Sequence, residues 1–207
     1  PGFASGQHIG ADRTRMVANV GPSAAHRRVF PAKPRDLSMP EPKTGHHLRL
    51  LKGALEFFDA LERAIDASWH EVRLETYIFR VTASGEQVAQ ALIRAAQRGV
   101  AVYLVMDGVG TPSLPEPWPQ RMDAAGVHWR IYSPLGRLGL LVPSRWRRLH
   151  RKLCVVDGQI VFCGGINVLD DWYDLNYFEL DAPRFDFAVQ VSGPLVQDAH
   201  AAMAQFW

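Results

Sequence analysis

The sequence predicts an α/β fold, a mixed β-sheet flanked by helices on both faces. Three observations carry this. Apolar periodicity switches repeatedly between helical spacing and a strand period of two. One segment, "VAVYLVMD" (100–107), is continuously apolar, as a strand covered on both faces is. A third, "VVDGQIV" (155–161), sets Asp-Gly between two β-rich runs, a hairpin signal that adds antiparallel strands.

The elements follow in order. Residues 1–45 are rich in Pro, Gly, Arg and Ala without a sustained period, and "VFPAKPRDLSMPEPKTG" (29–45) carries four prolines. Proline removes donors and breaks helices, so this stretch reads as a flexible lead-in to a domain over 46–207. "HLRLL" (47–51) makes a short strand. "ALEFFDALERAIDAS" (54–68) places Leu55, Phe58, Leu61 and Ile65 at helical spacing. "EVRLETYIF" (71–79) alternates Val72, Leu74, Thr76 and Ile78 against Arg73, Glu75, Tyr77 and Phe79, as a strand does. "GEQVAQALIRAAQRG" (85–99) is a helix that Gly99 closes. The continuous strand follows. A Pro-rich loop (111–119) then leads to a short helix and a strand near "VHWRIY" (127–132). The hairpin, a strand "RFDFAVQV" (184–191) and a helix opening at Pro194 complete the chain.

Composition bounds the reading. At 207 residues, 47% apolar and 21% charged, the chain suits one sizeable globular domain. A net charge of +2 identifies no partner, but its distribution says more. Arg137, Arg145, Arg147, Arg148, Arg151 and Lys152 run with no acid among them, a local field suited to phosphate. No stretch reaches the eighteen apolar residues of a membrane span. Cys154 and Cys163 form no disulfide framework or metal-ligand spacing, and two buried, reduced thiols are expected. The chain starts at Pro1 and stops at Trp207 inside a helical pattern, so a fragment of a longer protein is expected.

"LHRKLCVVDGQIVFCGGINV" (149–168) concentrates the chemistry. With Asp157-Gly158 as a two-residue turn, Lys152 faces Cys163 and His150 faces Gly165. His150 and Lys152 share a face. Gly164, Gly165 and Asn167 return to the same end, where glycines let a ligand approach exposed backbone N–H groups. Two cations at one strand end call for an anion. Asp157 stands a strand length of roughly 23 Å away, so its expected part is to hold the hairpin.

His150-x-Lys152, four residues, Asp157, six residues, then Gly164-Gly165-x-Asn167 resembles the signature of the phospholipase D superfamily. "LETYIF" (74–79), "ALIRAAQRGVAVYLVMDGVG" (91–110), "AAGVHWRIY" (124–132) and "RFDFAVQVSGP" (184–194) are similar to the N-terminal half of bacterial cardiolipin synthases. The resemblance covers roughly 46–207 and implies a phospholipase D-like half-domain. It implies phosphatidyl transfer with no metal or other cofactor, through a phosphohistidine on His150. Lys152 and Asn167 would hold the phosphate oxygens, and Gly164, Gly165, Arg148 and Arg151 would line the phosphate site. Asp157 completes the catalytic signature. Asp186 would orient the imidazole, and Glu75 would support the site.

The implied partners are phospholipids, phosphatidylglycerol foremost, on an anionic membrane surface, with nucleic acid not preferred. The implied location is peripheral, on the cytoplasmic side of a bacterial cell membrane, with Trp146 and the basic loop at the interface. Such a site needs a second signature to protonate the leaving group. His128 and His200 lack the following lysine, so the second half is expected elsewhere in a longer chain or on a second copy, and this chain alone is expected to be inactive. A hydrolase or homodimeric nuclease of the same chemistry is the alternative.

Overall fold

The computed structural model describes residues 42–135, 146–173 and 179–205. Most of the expected lead-in, together with Arg137 and Arg145 of the basic run, lies outside these residues.

Seven strands form one mixed sheet: β1 His47–Lys52, β2 Glu71–Thr76, β3 Ala101–Asp107, β4 His128–Tyr132, β5 Leu153–Val156, β6 Ile160–Gly164 and β7 Phe187–Ser192. Their spatial order is β1-β7-β6-β5-β2-β3-β4. The segment β2-β3-β4 is parallel, and every other pairing is antiparallel. Among the described residues the helices are α1 Gly53–Asp66, α2 Ser84–Gln97, α3 Trp118–Ala125 and α4 Leu195–Ala204.

Strand alternation divides the side chains into two layers. Val72, Leu74, Val102, Leu104, Cys154 and Phe162 point into the larger core, under α1 and α2. Val155, Val161 and Val191 point the other way and meet Val196 and Met203 of α4. Of the four residues expected on the buried stripe of α1, Phe58, Leu61 and Ile65 are buried and Leu55 is not. Ala54, Phe57, Phe58, Ala60, Leu61 and Ile65 are buried. Leu55, about 100° further round the helix than Ala54, is 85% exposed. Gly99 follows α2 with φ +91°, the left-handed turn that ends the helix without a Cβ penalty.

The hairpin forms, with its register moved by one residue. Asp157 and Gly158 adopt φ +52° and +63°, and the Gln159 N–H donates to the Val156 carbonyl at 3.0 Å. Gln159 is then left outside the ladder, so Val156 pairs with Ile160 and Leu153 with Cys163. Lys152 therefore lies opposite Gly164, whose N–H donates to its carbonyl at 3.3 Å, and not opposite Cys163. This slip also separates the thiols. Cys154 is buried in the core, whereas Cys163 is on the other face and exposed, correcting the expectation of two buried cysteines. β5 begins at Leu153, so His150 and Lys152 lie on the chain entering the strand.

Candidate active site

The entry to β5, the exit of β6, the entry to β7 and the C-terminal end of β2 meet at one edge of the sheet. Period-two alternation persists through the entry to β5. His150 and Lys152 turn to one side and Arg151 to the other. The Lys152 ammonium lies 3.3 Å from His150 Nε2 and 3.5 Å from Nδ1, and it donates to the His150 carbonyl at 3.2 Å. Tyr77, just past β2, packs on both. Its ring centroid is 5.2 Å from that of His150 and 5.5 Å from Lys152 Nζ.

Burial lowers the Lys152 pKa from its ordinary value, and the negative charge of Asp186 opposes that shift. Asp186 Oδ1 accepts from the Phe187 N–H at 2.7 Å. Among the described residues, no hydrogen bond joins Asp186 to His150, the partner expected for it. Asn167 Oδ1 accepts from the Ile78 N–H at 3.1 Å, which leaves the amide NH₂ as the end able to donate to a ligand.

The glycines serve a different need from the one expected. Their N–H groups are engaged, Gly164 with the Lys152 carbonyl and Gly165 with the Phe187 carbonyl at 3.0 Å. What the missing Cβ permits is close approach of β7. A Cβ on Gly164 would come within 2.5 Å of the Ala188 Cα and the Phe187 carbonyl oxygen, and one on Gly165 within 2.2 Å of Asp186 Oδ1. Gly165 thus makes room for the carboxylate of Asp186.

A family model described as the PLD-like domain of cardiolipin synthase matches residues 61–181, which include the whole His150–Asn167 stretch. The chain belongs to this family. Cardiolipin synthase B of Escherichia coli K12 is 35% identical over 158 residues, 75% of this chain and 37% of that protein. Cardiolipin synthase 1 of Bacillus cereus is 35% identical over 124 residues, 60% of this chain and 24% of that protein. The chain thus spans well under half the length of these relatives. Among solved structures, the phospholipase D family member Nuc of Salmonella typhimurium superposes with a TM-score of 0.54 at 18% identity, over 78% of this chain and 93% of that one. NucT of Helicobacter pylori superposes with a TM-score of 0.51 at 15% identity, over 78% and 95%. The PLD-like fold is common to all three.

Within this PLD-like domain, both arginines expected on phosphate are turned onto carboxylates. Arg151 Nη2 is 2.7 Å from Glu75 Oε2. Arg148 Nη1 is 3.3 Å from Asp107 Oδ1, and its Nη2 donates to the Ser133 carbonyl at 2.9 Å. Glu75 is 1% exposed. Burial pushes its carboxyl up to about 6, outweighing the attraction of Arg151, Arg130 and Arg73. Asp157 is at the far end of β5, where its carboxylate accepts from the N–H groups of Trp69, His70 and Glu71 at 3.2, 2.9 and 2.8 Å. It fastens the hairpin turn to the chain entering β2. His128 stacks on Tyr103 with centroids 5.3 Å apart, and His200 Nε2 is 2.7 Å from Glu71 Oε1.

Two contributors escaped the sequence reading. Tyr77 shows in the sequence only as one residue of a strand alternation. Asp107, the lone acid ending the apolar run of β3, is fully buried and accepts from the Leu149 N–H at 2.7 Å and the Val109 N–H at 2.8 Å. It anchors the residue before His150. Its one visible signal was a carboxylate at the C-terminal end of a parallel strand, where α/β sites form. Among the described residues, no group of three or more His, Cys, Asp or Glu side chains is placed to hold a metal ion. Among the same residues, no helix is long and apolar enough to cross a membrane.

Proposed function

We propose that the chain carries one half-site of a phosphatidyltransferase of the cardiolipin synthase type, with His150 as nucleophile. The observation supporting this most directly is the Lys152 ammonium 3.3 Å from a His150 ring nitrogen, at an edge shared with Asp186 and Asn167. The two half-reactions are displacements at phosphorus. An imidazole nitrogen of His150 attacks the phosphodiester of phosphatidylglycerol. A nitrogen–phosphorus bond forms, the bond from phosphorus to the glycerol oxygen breaks, and glycerol leaves after gaining a proton. A second histidine supplies that proton, either from another His-x-Lys signature in a longer protein or from a second copy. The hydroxyl of a second phosphatidylglycerol then loses its proton and attacks phosphorus, forming cardiolipin and freeing His150.

Lys152 and the Asn167 amide donate to the non-bridging oxygens, whose charge grows in the crowded transition state. Asp186 balances the lysine and, as substrate enters, orients the imidazole. Arg148 and Arg151 act as positioning residues that brace the chain on either side of His150. Phosphatidylglycerol is taken from an anionic membrane surface on the cytoplasmic side, with the protein bound peripherally. This chain without its second histidine is inactive.

The test is incubation of the full-length protein with phosphatidylglycerol vesicles. Cardiolipin and glycerol are expected, together with an acid-labile phosphoryl adduct that His150→Ala abolishes. An adduct surviving that substitution removes His150 from the nucleophile role. Phosphatidic acid without cardiolipin identifies a hydrolase instead.

A further inference from the structure

Beside the catalytic cluster, and sharing Asp186 with it, lies a cavity of about 530 Å³ between the start of α1 and residues 170–172 and 183–187. That is the size of an ordinary small-molecule site. Its apolar walls are Leu55, Trp172, Phe185 and Phe187. Leu55 is 85%, Trp172 53% and Phe185 91% exposed, so apolar surface gathers around one opening next to the chemistry. The Phe185 and Phe187 rings meet edge to face, 4.7 Å between centroids.

Three carboxylates line this wall, Asp170, Asp171 and Asp186, and each accepts from a backbone N–H. Asp171 Oδ2 accepts from the Ala54 N–H at 2.6 Å, and Asp170 Oδ1 from the Ser84 N–H at 3.1 Å. Asp171 and Asp170 are thus turned onto the starts of α1 and α2. The cations in the lining are Lys52, which is exposed, and Arg184. The Gly53 N–H donates to the Asp186 carbonyl at 2.9 Å, tying the cavity floor to the catalytic edge. A diacyl phosphodiester needs an apolar recess joined directly to the phosphoryl site, and Asp186 stands at that junction.

We infer that this cavity receives the acyl-chain region of the phospholipid whose phosphorus reaches His150, with Phe185, Trp172 and Leu55 seated in the apolar edge of the bilayer. The inference rests on the phosphatidyltransferase reading and deepens it.

The test uses the full-length protein carrying Phe185→Ser with Trp172→Ser, two exposed positions whose change spares the fold. Substrates are dioleoyl phosphatidylglycerol in vesicles and water-soluble dibutyryl phosphatidylglycerol. The double variant is expected to lose about tenfold or more in kcat/KM on the long-chain lipid, the scale of one apolar side chain's transfer from water, and to stay within about twofold on the short-chain one. Equal loss on both, or loss on neither, overturns the proposal. Phosphatidylglycerol with a photoreactive acyl chain should crosslink to residues 170–172 or 183–187, which line the cavity, and labelling of neither segment also overturns it. Labelling needs no turnover, so a protein that labels here yet converts neither lipid refutes the catalytic reading and leaves the cavity assigned. Finally, Phe185→Cys in a Cys163→Ser background should react with a thiol reagent in buffer and be protected by anionic vesicles. Protection without lipid would mean that protein covers the site, contrary to the inference.

Discussion

The Arg151 guanidinium lies 2.7 Å from the Glu75 carboxylate, although Arg151 stands in the chain between the two residues that face the candidate phosphate site. Period-two alternation sends it to the opposite side of the sheet, where it also donates to the Ala202 carbonyl at the end of α4. Arg151→Ala is expected to leave a buried carboxylate without its main partner. The cost is about 3 kcal/mol, at the low end for a broken buried pair because Arg151 itself is one-third exposed. Denaturant unfolding measures it. A loss of lipid affinity at unchanged stability would instead assign Arg151 to the substrate.

Glu75 also sets a pH dependence. Its carboxyl is pushed up to about 6 in the folded chain from an ordinary value of 4.5. Between these values the folded state binds more protons than the unfolded state, so stability falls as pH rises through this window. The fall from this one group is about 2 kcal/mol. Glu75→Gln keeps an acceptor for Arg151 and does not titrate. Its unfolding midpoint from pH 4 to 7 should lack this component, and superimposable slopes for the two proteins would exclude it.

Asp157→Ala removes the acceptor of three backbone N–H groups and places alanine at φ +52°. The expected loss is about 1–2 kcal/mol, with Asp157→Asn retaining part of it, because asparagine tolerates the left-handed region and keeps one acceptor oxygen. In the full-length protein, turnover per folded molecule should be unchanged in both variants. Thermal melts paired with assays well below the melting temperature separate the two quantities.

The two glycines of the return strand should respond differently to the same substitution. Gly164→Ala drives a Cβ into the backbone of β7, which cannot move aside without breaking the ladder, and should cost about 2 kcal/mol or more. Gly165→Ala meets a side chain, the Asp186 carboxylate, which can rotate away. In the full-length protein that variant should fold nearly as well as the parent and lose most of its activity. Unfolding curves set beside initial rates decide this, and an active Gly165→Ala protein would show that the position of Asp186 is immaterial.

Much of this domain was legible because its signals are local. Asp-Gly marks a turn wherever β-rich runs flank it, and a continuous apolar run such as 101–106 has few places to go except the middle of a sheet. The expected strands and helices accordingly appear in order. The errors arose where one residue's placement depends on packing. Gln159 drops out of the ladder, and that single omission moves every pairing between β5 and β6. Leu55 satisfies helical spacing, yet α1 presents the Ala54 side to the sheet.

By itself the sequence determined the α/β class, the family, and the placing of His150 and Lys152 on a common side, since alternation and turn chemistry act between near neighbours. Only the tertiary structure decided what each charge meets. Glu75 finds Arg151 from 76 residues away, Asp107 finds Leu149 from 42, and Asp157 finds the chain before β2 from 86 and more. Burying a carboxylate demands a partner but does not say which, and the choice among the arginines and amides in reach is made by how the strands lie side by side.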